Sequence, residues 1–120
     1  MVYGVGKRYV KSKNKPVVGS IYFYSRLEEL TNYTFGKFGV KAMVDLQDKV
    51  NYHMRNLPTR YLSHSECRFI PTKTKIYRTI PIKRFASILY RIKPSRIEVL
   101  SIYNNSINPS KIRSMRKIKI

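Results

Sequence analysis

The stretch CRFIPTKTKIYRTIPIKRFASILYRI, residues 67–92, decides the fold class. Its apolar positions are mostly β-branched or aromatic and are interleaved with bases, a texture of strands rather than helix. Residues 67–70 and 75–82 are expected to form the arms of a long β-hairpin, with Pro71, Thr72, Lys73 and Thr74 at its tip and residues 85–92 continuing the return strand. Leu57-Pro58-Thr59-Arg60 opens it, because a proline biases the residue before it away from helix. The hairpin is therefore expected over residues 57–84.

Upstream, VVGSIYFY (residues 17–24) reads as a further strand. Ser25 stands three residues before Glu28, a capping-box spacing that starts a helix carrying Leu27 and Leu30. Gly36 and Gly39 interrupt that helix. A second follows, with Val40, Met43, Val44, Val50 and Met54 at helical spacing, and Leu27, Leu30, Met43, Val44 and Val50 are the expected core of the helical side. Downstream, Pro94-Ser95 is expected to start a short helix with Ile97 and Leu100 facing inward, and residues 103–109 form a turn-rich break. In the tail, Met115, Ile118 and Ile120 are interspersed with Arg116, Lys117 and Lys119, as on a half-exposed final strand. The expected whole is one α+β domain, residues 17–120, behind a basic arm, residues 1–16.

Length agrees with that plan. A chain of 120 residues suits one domain, which buries roughly 65% of its unfolded surface. Charge is the outlier: 25 Lys and Arg against 6 Asp and Glu give a formal +19. Such a chain repels itself and is most comfortable beside a polyanion, which argues against a free monomeric metabolic enzyme. Ile, Lys, Asn and Tyr supply 44 of the 120 residues while Ala appears only at 42 and 86, the mark of an AT-rich gene. A mitochondrion is the expected location, with the bacterial cytoplasm as the alternative. The single cysteine, Cys67, rules out an internal disulfide, and no apolar run approaches the ~20 residues that span a bilayer.

The excess charge is concentrated. Between Glu66 and Glu98 there is no acid, yet nine bases occur, with Tyr77, Phe85 and Tyr90 among them. Cations bind phosphates and aromatic faces stack on unpaired bases, so this segment is the expected RNA contact. Tyr22-Phe23-Tyr24 could offer a similar platform, with Phe23 the member expected in the core. The run from Phe35 to Val40 echoes an RNA-recognition signature in the wrong order and follows a helix start, so it is a decoy.

Catalytic readings find little support. His53, His64 and Cys67 give at most three of the four ligands a structural zinc needs. Glu66 and Cys67 are adjacent and would point to opposite faces of a strand. Asp45 and Asp48 read as helix surface, and Gly4 and Gly6 lack the strand–turn–helix context of a phosphate loop. The expectation is a binding protein with no cofactor, no metal and no small-molecule substrate. A nucleoid DNA-binding protein and a basic accessory subunit of a membrane complex are the competing readings.

The order β–α–β-hairpin–α–β, with Leu57-Pro58-Thr59-Arg60 at the hairpin start, Lys83-Arg84 on the returning strand and Pro94-Ser95 at the second helix, resembles the small-subunit ribosomal protein S-ten family. The resemblance covers residues 17–120. It implies a ferredoxin-like βαββαβ sheet with two helices on one face and a long hairpin reaching into rRNA and neighbouring proteins of the subunit head. Carried over by position, it makes Arg60, Arg68, Lys73, Lys75, Arg78, Lys83 and Arg84 rRNA contacts, to which the charge of the arm adds Lys7 and Arg8.

Overall fold

In the computed structural model, which describes residues 14–83 and 86–120, the elements run β1 (Val17–Gly19), α1 (Ile21–Phe38), α2 (Val40–Arg60), β2 (Tyr77–Lys83), β3 (Ala86–Ile92), β4 (Ile97–Asn104) and α3 (Pro109–Ser114), closing with a 3-10 turn, Met115–Lys117. The sheet order is β1-β4-β3-β2, with β1 parallel to β4 and the other pairs antiparallel. The α+β class holds. The βαββαβ order does not, since both long helices lie between β1 and β2 and a meander of three strands follows.

The first difference begins at Ser20. Its side-chain oxygen accepts the Phe23 N–H at 2.8 Å, and its hydroxyl donates to the Leu100 carbonyl at 2.8 Å. This cap stops β1 after three residues and starts α1 five residues before the expected Ser25. Phe23, Leu27, Leu30 and Thr34 then share one face, with Phe23 only 1% exposed. Helical packing against β4 overrides the β propensity of the aromatic run.

Gly39 breaks the helices where the sequence marks a break. At φ 91° it adopts a backbone that favours glycine, and its N–H bonds the Phe35 carbonyl at 2.9 Å. α2 buries Leu46, Val50 and Leu57. Val44 is 43% exposed, so the inward face of α2 is rotated from the expected one. Leu57, fully buried, keeps α2 helical through Pro58, which falls in its last turn, and this corrects the extended reading of Leu57-Pro58-Thr59-Arg60.

The two sheet faces are covered differently. Against the helices lie Ile80, Ile82, Ile88, Tyr90, Ile97, Val99 and Ile102, in one cluster with Phe23, Leu46, Val50, Leu57 and Tyr61. Across the sheet, Leu89, Leu100 and Tyr103 pack with Cys67, Ile70, Ile112 and Met115. Segment 61–76, which is not a hairpin arm, starts on the helix side at Tyr61 and then supplies Cys67 and Ile70 to this outer cover, which the C-terminal segment, not a strand, completes. The real hairpin joins β2 to β3. β4 replaces the expected short helix because residues 97–103 are buried on both faces, where a near-continuous apolar run suits a strand.

Candidate functional site

The outer cover is the strongest candidate for contact with another molecule. Segment 61–76 is held to β2 by the Cys67 N–H to the Tyr77 carbonyl (2.8 Å) and the Thr79 N–H to the Ser65 carbonyl (3.0 Å). Glu66 accepts the Thr72 N–H at 3.0 Å, which rounds off the loop, and Lys75 takes φ 55° at its far end. The C-terminal segment starts at Asn108, whose side chain accepts the Ser110 N–H at 2.9 Å with Pro109 first in the helix. It is then gripped by Arg91, which donates to the Arg116 and Ile118 carbonyls at 3.0 and 3.1 Å.

Arg91 also pairs with Glu98 at 2.5 Å, and Arg96 pairs with the other carboxylate oxygen at 2.7 Å. Glu98 is 4% exposed. Burial alone would raise its pKa, but hydrogen bonds and charge from the two arginines prevail and hold it below its ordinary value. Glu98 thus fastens both sheet and tail. Its two arginines are two of the nine bases expected to face RNA.

Other expected contact residues separate in the same way. Arg78 donates to the Lys75, Leu62 and His64 carbonyls and is a clasp for the loop. Lys83 pairs with Asp45 of α2 at 2.6 Å, and this hydrogen bond keeps the Asp45 pKa low. Arg60 is exposed at the end of α2. Arg68, Lys73 and Lys75 are exposed on segment 61–76, Arg68 with its guanidinium 4.8 Å from the Phe69 ring centre. Lys7, Arg8 and Arg84 lie outside the described residues. What sequence reading missed is the tail: Lys111, Arg113, Arg116, Lys117 and Lys119 are all exposed on the same cover. Five bases without an acid in ten residues, behind an Asn-Pro helix start, were the available signal.

Between loop and tail lies a cleft of about 360 Å³ bordered by Glu66, Arg68, Phe69, Thr79, Tyr103 and Asn105. Burial first, then the nearby Cys67, raises the Tyr103 pKa to about 12, and burial raises that of the Cys67 thiol. Both groups therefore stay protonated near neutrality, which suits hydrogen bonding rather than nucleophilic attack. Among the described residues no group of three or more His, Cys, Asp or Glu could hold a metal ion.

The chain's two histidines meet on the helix side of the loop. The His53 and His64 rings are 6.0 Å apart, and His64 is 6.1 Å from Tyr90, whose hydroxyl donates to the Tyr61 carbonyl at 2.5 Å. Burial lowers both histidine pKa values, helped by Lys49 at His53, and by His53, Arg60 and Arg78 at His64.

No protein-family model matches this chain, and no curated protein does. Among solved structures, a chain of the chromosomal ParDE TA system from P. aeruginosa has the same fold, with TM-score 0.60 over 76% of this chain and 96% of that one, at 14% identity. This neighbour overturns the ribosomal S-ten assignment. With it fall the structural role in the small subunit, and the rRNA and the ribosomal neighbours as partners. The short words that carried the resemblance sit in different elements: Leu57-Pro58-Thr59-Arg60 closes a helix and Pro94-Ser95 leads into β4.

Proposed function

We propose that the chain is the growth-inhibiting member of a toxin–antitoxin pair, held in check by an acidic partner protein. The observation that carries this reading is the shared fold, which takes in 96% of the ParDE TA-system chain. Charge supports it, since a chain of formal charge +19 is neutralised most directly by an acidic companion. We read its action as binding rather than catalysis, with the cover of loop and tail facing an anionic target through Arg68, Lys73, Lys75 and the tail bases. Of the two locations considered, this reading favours the bacterial cytoplasm.

Expression of the chain alone in a bacterial host should arrest growth, and co-expression of the acidic protein encoded beside it should restore growth and yield a co-purifying complex. Normal growth on expression of the soluble chain would refute the reading.

A further inference from the structure

The helical hairpin ends in an apex that the core does not use. Gly39, at φ 91°, alone joins α1 to α2, so the last turn of one helix abuts the first turn of the other. Phe38 is 60% exposed, Val40 58% and Phe35 49%, and Val44 is exposed beside them. Phe35 and Phe38 stand three apart on α1, and Val40 and Val44 four apart on α2, so each pair shares a helix face. None of the four belongs to either apolar cluster of the described residues. Beyond chain neighbours and the local helix backbone, no described atom lies within 4 Å of where a Cβ at Gly36 or Gly39 would stand.

Charge at the apex has one sign. Between Glu29 and Asp45 the only charged residues are Lys37 and Lys41, and both are exposed. The Lys37 ammonium stands 5.8 Å from the Tyr33 ring centre, which sets a third aromatic ring beside the cations. Exposed apolar patches rimmed by polar groups mark contacts with proteins or membranes. Aromatic rings with lysines and no acid are the composition that settles at the headgroup level of an anionic bilayer, rings toward the acyl chains and ammonium groups toward phosphate. Shape agrees with composition. The end of a helical hairpin is a knob, and its four apolar residues line none of the hollows beside the two helices. A knob suits a surface that deforms around it.

We propose that this apex docks the protein on an anionic lipid surface, with Phe35, Phe38 and Val40 in the interface and Lys37 and Lys41 on headgroup phosphates. No helix among the described residues is long and apolar enough to cross a membrane, so the contact is with one leaflet. Charge selects the occupant. A second copy would set lysine against lysine at the apex and +19 against +19, whereas an anionic leaflet attracts the whole chain. The inference goes beyond the toxin–antitoxin reading and does not depend on it.

The test uses the full chain and vesicles of phosphatidylcholine, with or without an equal part of phosphatidylglycerol. The wild type should pellet with the anionic vesicles and not with the neutral ones. Phe38→Glu, checked for native circular dichroism, should weaken that binding at least about tenfold. Ile21→Glu makes the same charge change at the other end of α1, ~26 Å away at 1.5 Å per residue, and should stay within about twofold. Replacing Lys37 and Lys41 together by Gln should weaken binding about tenfold or more at low salt, since each cation near an anionic surface is worth roughly fivefold. The chain has no tryptophan, so Phe38→Trp reports its own surroundings. Its emission should shift to the blue with anionic vesicles, and that of Ile21→Trp should not. Equal losses in Phe38→Glu and Ile21→Glu would overturn the placement, as would pelleting without a shift at Phe38→Trp, because charge elsewhere would then hold the chain. Absence of binding to the anionic vesicles would refute it outright. A blue shift without vesicles that grows with protein concentration would assign the apex to a second copy. A shift produced by the acidic protein encoded beside the chain, and not by vesicles, would assign it to that partner. Growth arrest is read separately, so failure of the toxin reading leaves the vesicle result to judge the apex.

Discussion

The two faces of the sheet are built on opposite terms. The inner face carries two long helices, residues 21–60, with six bases against four acids and the larger apolar cluster beneath them. The outer face carries a loop and a short tail, residues 61–76 and 105–120, with eight bases against one acid over a smaller cluster. Apolar burial is non-directional and tolerates a neutral surface above it, so the helices can hold the fold without help from charge. On the outer face, electrostatics matter to the anchoring itself, through Arg91, Arg96 and Glu98. The lesson is a division of labour: one face holds most of the apolar core, and the other concentrates the positive charge.

The sharpest break in that division comes from Glu98, the one buried acid. Glu98→Gln should cost about 3–5 kcal/mol, because Arg91 is left with its charge in a mostly buried place. Denaturant unfolding measures it, and a cost below about 1 kcal/mol would mean that the outer cover does not depend on this pair. Folding lowers the Glu98 pKa, so the contribution is present above its ordinary 4.5 and is lost as pH falls through the lowered value. On the inner face, Leu46→Ala should cost about 2–5 kcal/mol by opening a cavity, yet leave polyanion affinity per folded molecule unchanged.

Next in size is Tyr103→Phe. Removing the buried hydroxyl should cost about 0.5–1.5 kcal/mol at neutral pH. Since folding raises the Tyr103 pKa from 10 to about 12, the wild type should lose stability as pH climbs across that window, and the variant should lose less. At the acid end, folding lowers both histidine pKa values, so stability held above 6.5 should drain as pH falls below it, and His53→Gln should shallow that fall. Smallest in stability is the triple change of Arg68, Lys73 and Lys75 to Ala, within about 0.5 kcal/mol per site. Its effect belongs to binding: retention on heparin should drop to markedly lower salt, and the slope of log affinity against log salt should become shallower. A triple change of Lys41, Lys49 and Arg55 on α2 that lowers retention as much would erase the difference between the faces.

Parts of this were legible in the residues. The break at Gly39, the paired helices around it and the β texture from Tyr77 to Ile92 follow from turn chemistry and branching, which act locally. Phe23 was recognisable as core because one residue of an aromatic triplet must turn inward. Ser20 and Ser25 both offer a hydroxyl ahead of leucines, and only the contact with Leu100, eighty residues away, decides between them. β4 escaped for a related reason: Glu98 looks like a surface residue until Arg91 and Arg96 are brought beside it. At the site, Arg68, Lys73 and Lys75 were legible from charge alone. Arg78 and Lys83 were not separable from them, since a cation that clasps a loop and one that faces solvent are the same letters. The tail bases are plain in the sequence, but the pattern of Ile118 and Ile120 fits either an edge strand or a short helix followed by a turn.

One guanidinium, that of Arg91, meets Glu98 and two carbonyls of the tail, while standing 5.9 Å from the Tyr77 ring centre. Such a knot makes the outer cover a cooperative opening unit of its own. We expect amide exchange to show residues 105–118 opening together, well before the helices do. Each opening would bare Leu89 and Leu100 while the tail lysines and arginines swing free, giving a short-lived form that is both sticky and strongly cationic. Proteolysis at the tail, aggregation at low salt and recovery in the presence of a polyanion would then be three views of the same fluctuation.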